Sequence, residues 1–94
     1  MLAIDPQTGS LVGEDAPSQA KQILKNISAL LASEGLTIEN VVKTTVFLTE
    51  LSAFGAVNAV YGDTFAGNPP ARSCVEVSRL PKDALVEIEC VAVY

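Results

Sequence analysis

Arg72 follows Pro69, Pro70 and Ala71, a rigid approach that fixes the backbone and restricts where the guanidinium can point. Its planar fork donates two parallel hydrogen bonds and so suits a carboxylate ligand. The plainer alternative is a strand-end arginine paired with a surface acid, which would do little. Cys74, two residues further, projects to the same side of a strand and places a thiol near that cation, as a nucleophile or as a small packing residue. Glu87 and Glu89 also lie two apart and share a face. If covered, one carboxylate there is suited to act as a base toward water; if uncovered, both are simply solvated. Whether either acid shares a face with Arg72 depends on register, because a one-residue slip reverses every side chain. Asn58 falls in the middle of a helical pattern, where packing explains it poorly and a ligand or a neighbouring backbone group would explain it better. Tyr61, three residues on, has the character of a core residue with its hydroxyl at the edge.

Composition narrows the chemistry available to these groups. The chain has 94 residues and no histidine, which removes Ser-His and Cys-His constellations and leaves carboxylates, thiols, tyrosines and lysines for acid–base work. Cys74 and Cys90 without histidine make a poor zinc site, and without a secretion signal they read as reduced thiols. Six basic residues against eleven acidic ones give a formal charge of −5 with no basic run, so nucleic acid would meet mostly repulsion. No apolar stretch is long enough for a membrane span, and the expected location is the cytoplasm. A chain this short buries only roughly 60–65% of its unfolded surface. Yet 49% of its residues are hydrophobic and its mean hydropathy is +0.35, which makes self-association the default expectation.

The elements that must position these residues follow from periodicity. Asp5-Pro6-Gln7-Thr8-Gly9 has turn composition, and Met1–Ile4 offers at most a short strand. A helix begins at Asp15 as cap, with Pro17 in its first turn. Its stripe of Ala20, Ile23, Leu24, Ile27, Leu30 and Leu31 runs to a stop at Gly35. Residues 41–49 are β-branched and apolar on both faces, as in an interior strand. Ser52 suits the cap of a second helix carrying Phe54, Val57, Tyr61 and Phe65, closed by Gly67-Asn68-Pro69-Pro70. Strands at 72–78 and 84–93 flank Leu80-Pro81-Lys82-Asp83, which has the composition of a hairpin connection. The order helix, strand, helix, strand, strand describes one α+β domain over residues 1–94, with both helices on one face of a sheet.

Four segments in this order carry a resemblance: Val41-Val42-Lys43-Thr44-Thr45-Val46-Phe47-Leu48; Phe54-x-x-Val57-Asn58-x-x-Tyr61; Pro70-Ala71-Arg72-Ser73-Cys74-Val75-Glu76-Val77; and Leu80-Pro81-Lys82 followed by Val86-Glu87-Ile88-Glu89. Together with Asp5-Pro6-x-Thr8-Gly9, the chain resembles the YjgF/YER/UK (RidA) family of reactive-intermediate deaminases, also called the endoribonuclease L-PSP family. The resemblance implies a chorismate-mutase-like α+β fold, a homotrimer with helices outside, and ligand clefts between subunits. It further implies hydrolysis of 2-imino acids to 2-keto acids and ammonia without a cofactor. In those terms Arg72 binds the substrate carboxylate and Glu87 positions or activates water. Cys74 lines the pocket through its backbone N–H more than its thiol, and Asn58 is a secondary contact. Members of the family also carry an N-terminal strand pair with a Gly-Pro-Tyr-Ser type segment and a Ser-Gly-Gln strand end lining the cleft. Neither segment occurs in this sequence, so the resemblance implies an unpaired sheet edge and an incomplete pocket wall, with activity weak or absent. Two other functions stay open: a non-catalytic module for small carboxylates, and an endoribonuclease or translation inhibitor.

Overall fold

Helix α1 spans Ala16–Ser33 in the computed structural model, which describes every residue from Met1 to Tyr94. Asp15 caps it by accepting a hydrogen bond from the Ser18 N–H, 2.9 Å away, and hydrogen bonding from Ser18 holds the Asp15 carboxyl below the usual carboxylate range. Gly35 ends it at φ +72°. The N–H groups of Gly35 and Leu36 bond back to Ala32 and Leu31 in the paired geometry of a left-handed stop. Ala20, Ile23, Leu24, Ile27 and Leu31 are buried as their spacing requires. Leu30 is not. It is 59% exposed at the edge of the layer, lining a shallow apolar groove with Leu2, Ile4 and Ala29.

Strand β1, Val41–Leu48, is the centre of a three-stranded mixed sheet of order β2-β1-β3. Strand β2, Ala71–Glu76, runs parallel to it after helix α2, Phe54–Thr64, has carried the chain back across the sheet. Strand β3, Val86–Ala92, pairs antiparallel on the other side. The last two strands therefore form no hairpin. Both pair with the most β-branched segment of the chain, and residues 77–85 straddle its end: Val77 N–H donates to Leu48 C=O at 2.8 Å, and Thr49 N–H donates to Leu85 C=O at 3.2 Å. Lys82 and Asp83 turn this connection at φ 59° and 53°. Met1–Ile4 forms no regular strand. It makes one bridge, Ile4 to Leu11, and lies beside β3, where Ile88 N–H donates to Met1 C=O.

The start of α2 also departs from the sequence expectation. Ser52 caps nothing; it sits inside a single 3-10 turn, Leu51–Ala53, that leads into the helix. The free N–H at the start of that turn, on Leu51, is satisfied from β2 by the Glu76 carboxylate at 2.7 Å.

Thr44, Val46 and Leu48 of β1, with Val86 and Ile88 of β3, face the two helices and join Ile23, Leu24, Val57 and Tyr61 in one core. The opposite face of the sheet carries no layer. Gln19 pins the arrangement from inside. Only 2% exposed, it donates to Gly13 C=O at 3.1 Å and accepts from Leu85 N–H at 2.9 Å, tying the N-terminal loop to the entrance of β3. Gly13 is required beside it: its φ is +100°, and a Cβ there would lie 3.0 Å from the Gln19 backbone nitrogen. Replacing Gln19 by leucine strands both backbone groups, so urea unfolding of Gln19→Leu is expected to show a loss of about 2–4 kcal/mol.

Candidate functional site

The register of β1 decides which side chains share a surface. Thr44 pairs with Arg72, Val46 with Cys74 and Leu48 with Glu76, so Arg72, Cys74 and Glu76 lie on the helix-covered side, at the β2 edge. Helix α2 presents Phe54, Asn58 and Tyr61 at positions i, i+4 and i+7 toward the same edge. These residues receive the arginine. The Arg72 Cζ lies over the Tyr61 ring, 4.7 Å from its centroid, and over the Phe54 ring at 5.3 Å. One guanidinium nitrogen, Nη1, donates to Asn58 Oδ1. The Tyr61 hydroxyl does not reach the edge as its helical position suggests. It is buried and shares a 2.6 Å hydrogen bond with Thr44 Oγ1, while its ring stacks on Phe65 at 4.6 Å.

Arg72 is thus held by two rings and an amide, all neutral. It has no acidic partner, since the molecule's one ion pair joins the Met1 α-amino group to Glu87. Contact with ring faces uses none of its N–H donors, and Asn58 takes one, so the remaining donors and the whole charge are left for a ligand.

Cys74 stands on the same side, half-buried against the core. Burial pushes its thiol pKa up, and the nearby Arg72 charge opposes that only in part, so it is a protonated wall at neutral pH and not a nucleophile. Burial likewise raises Cys90, with the N-terminal charge opposing.

Glu87 and Glu89 are on the other side. They pair with Phe47 and Thr45 of β1, which point away from the helices, so within one chain the sheet separates both acids from Arg72. Glu87 is half-buried with its carboxylate 3.3 Å from the Met1 nitrogen, and Glu89 is exposed. The remaining cleft of note, at the C-terminal end of β1, is lined by Glu14, Asp15, Glu50, Thr49 and Leu85 and repels a carboxylate. Sequence reasoning missed Phe54, Tyr61 and Thr44 as the arginine's support. The available signal was the spacing of aromatic residues around Asn58 on one helix face.

The family model described as "Endoribonuclease L-PSP" matches residues 1–94. A RutC family protein of Synechocystis is 58% identical over 94 residues, covering 98% of this chain and 72% of that protein. The 2-iminobutanoate/2-iminopropanoate deaminase of Salmonella typhimurium is 48% identical over 95 residues, covering 98% and 73%. Among solved structures, E. coli TdcF with bound serine superimposes with a TM-score of 0.92 at 41% identity, covering 99% of this chain and 75% of that one.

Two measurements probe the local electrostatics. Asn58→Asp is nearly isosteric but brings a carboxylate against Arg72; it is expected to weaken any Arg72-dependent binding of small carboxylate anions, measured by calorimetry, more than Asn58→Ala does. Iodoacetamide labelling of Cys74 at pH 8 is expected to be slower than that of a free thiol. It should slow further in Arg72→Ala, which removes the one charge that favours the thiolate.

Proposed function

Because this chain belongs to the endoribonuclease L-PSP family, we propose that it hydrolyses short 2-imino acids and their enamine tautomers to 2-keto acids and ammonia, the activity named for the Salmonella relative. The observation that carries this is the Arg72 guanidinium, oriented by neutral groups and lacking any carboxylate partner. A 2-iminobutyrate carboxylate accepts from that fork, Cys74 walls the pocket and offers its backbone N–H, and Asn58 steadies the arginine. The imine carbon is already electrophilic. Water adds to it as Glu87 takes one of its protons and passes that proton to the nitrogen, giving a carbinolamine; Glu87 then carries the hydroxyl proton to the amino group as the C–N bond breaks, releasing ammonia and the keto acid. No step calls for a cofactor or a metal.

A single copy keeps Glu87 and Arg72 on opposite sides of its sheet, so this chemistry belongs in a cleft shared by copies, and we place it in a homotrimer. The uncovered sheet face supports that assembly: it displays Val75, 43% exposed, beside Phe47, and Val91, 55% exposed, beside Lys43. No helix is long and apolar enough to cross a membrane. Carboxylate binding without turnover is the second function to weigh, because the Arg72 anchor is complete within one chain and Glu87 is not joined to it. RNA cleavage is disfavoured by the net charge of −5.

The test generates 2-iminobutyrate in situ with a threonine dehydratase and follows ammonia release. The parent chain should accelerate release, Arg72→Ala should lose about 100-fold in kcat/KM through the lost charge-assisted pair, and Glu87→Gln should lose kcat with KM nearly kept. A parent chain that does not accelerate release overturns the deaminase, and an Arg72→Ala variant as active as the parent overturns Arg72 as its anchor. Arg72-dependent binding of 2-ketobutyrate with no turnover establishes the binding module in its place.

A further inference from the structure

We infer that Tyr61 is the positioning residue of this site: its ring, locked from beneath by Thr44, fixes the direction of the Arg72 guanidinium before any ligand arrives. This rests on Arg72 being the carboxylate anchor proposed above. An arginine side chain is long and rotamer-rich, and at an exposed strand edge it would give up that freedom only on binding. Here the freedom is already restricted. Tyr61 is 4% exposed, on a helix, with its hydroxyl bonded at 2.6 Å to Thr44 and its ring against Phe65. Thr44 is also the register partner of Arg72 across the parallel strand pair. One residue therefore sets both the backbone position of the arginine and the ring over which its Cζ lies at 4.7 Å.

The hydroxyl of Tyr61 is consumed by Thr44 and buried, so it is not available to protonate a substrate; the residue acts through Arg72. Phe54, at 5.3 Å, supports the same guanidinium from the first turn of α2. An aromatic support is the fitting choice for an anchor, because it attracts the cation without cancelling its charge, as a carboxylate would.

The test is relaxation of the Arg72 Nε–Hε group in the 15N-labelled full chain, which contains only two arginines, Arg72 and Arg79; Arg72→Ala assigns the signal. In the parent an order parameter near that of rigid backbone, about 0.8, is expected, with the Hε resonance shifted by the rings. Tyr61→Phe keeps the ring but loses the bond to Thr44, and it should lower that order only part of the way. Tyr61→Met preserves bulk but removes the ring, and it should drop the value below about 0.6 while raising the 2-ketobutyrate Kd about five- to tenfold. A mobile Arg72 in the parent, or undiminished order in a folded Tyr61→Met, overturns the positioning role. Should Tyr61→Met fail to fold, the parent spectrum decides: an ordered, ring-shifted signal upholds the role and a mobile one overturns it. The relaxation measurement needs no turnover, so an ordered but inactive parent that binds no 2-ketobutyrate overturns the proposed function while upholding the role of Tyr61.

Discussion

Side chains alternate along an extended strand, and in this molecule one strand imposes its alternation on everything else. Strand β1 is paired on both edges, so its even-numbered positions 44, 46 and 48 define the helix-covered side for all three strands, and 43, 45 and 47 define the bare side. The core, the placement of α1 and α2, and the separation of Arg72 from Glu87 all follow from that parity. The β1 pairing in turn relies on closures at its end: residues 77–85 bond to Leu48 and Thr49, Glu76 caps the turn into α2, and Gln19 holds the entrance of β3. Each of these satisfies a backbone group that would otherwise be left unpaired at the margin of the core.

The treatment of charge at Arg72 is the second organising feature. A carboxylate partner at this edge would form a partly solvated ion pair worth little to stability, and it would compete with any anionic ligand for the fork. The molecule uses rings and an amide instead. Their attraction orders the guanidinium, and the energy of forming a bidentate charge-assisted pair is left to the ligand. Asn58 matters here for what it lacks: its amide accepts from Nη1 without carrying a negative charge.

Much of this was legible from the sequence, for identifiable reasons. Helix α1 was legible because its cap, its stripe and its glycine stop are local signals, and β1 was legible because apolar side chains on both faces mark an interior strand. The pairing of β2 and β3 was not. A polar four-residue segment between two strands looks the same whether it closes a hairpin or passes the end of a third strand, and only the competition for the two edges of β1 decides. That one ambiguity is what hid the separation of Arg72 from Glu87. The burial of the Tyr61 hydroxyl was equally hidden, because its partner Thr44 lies 17 positions away on another element. Leu30 kept the helical period and still ended exposed, since periodicity shows which way a side chain points and not whether anything lies there.

The two sides of the sheet differ in a way that links assembly to chemistry. The helix side is finished within one chain, and every buried side-chain polar atom there has a partner. The bare side mixes Phe47, Val75 and Val91 with Lys43, Glu87 and Glu89, a surface too charged to be buried against apolar groups alone. Glu87 already meets the Met1 α-amino group at 3.3 Å, whereas Glu89 is exposed with no cation bonded to it. The sheet thus separates a finished side, where Arg72 keeps its charge free at the β2 edge, from a side whose carboxylates are met only at its margin.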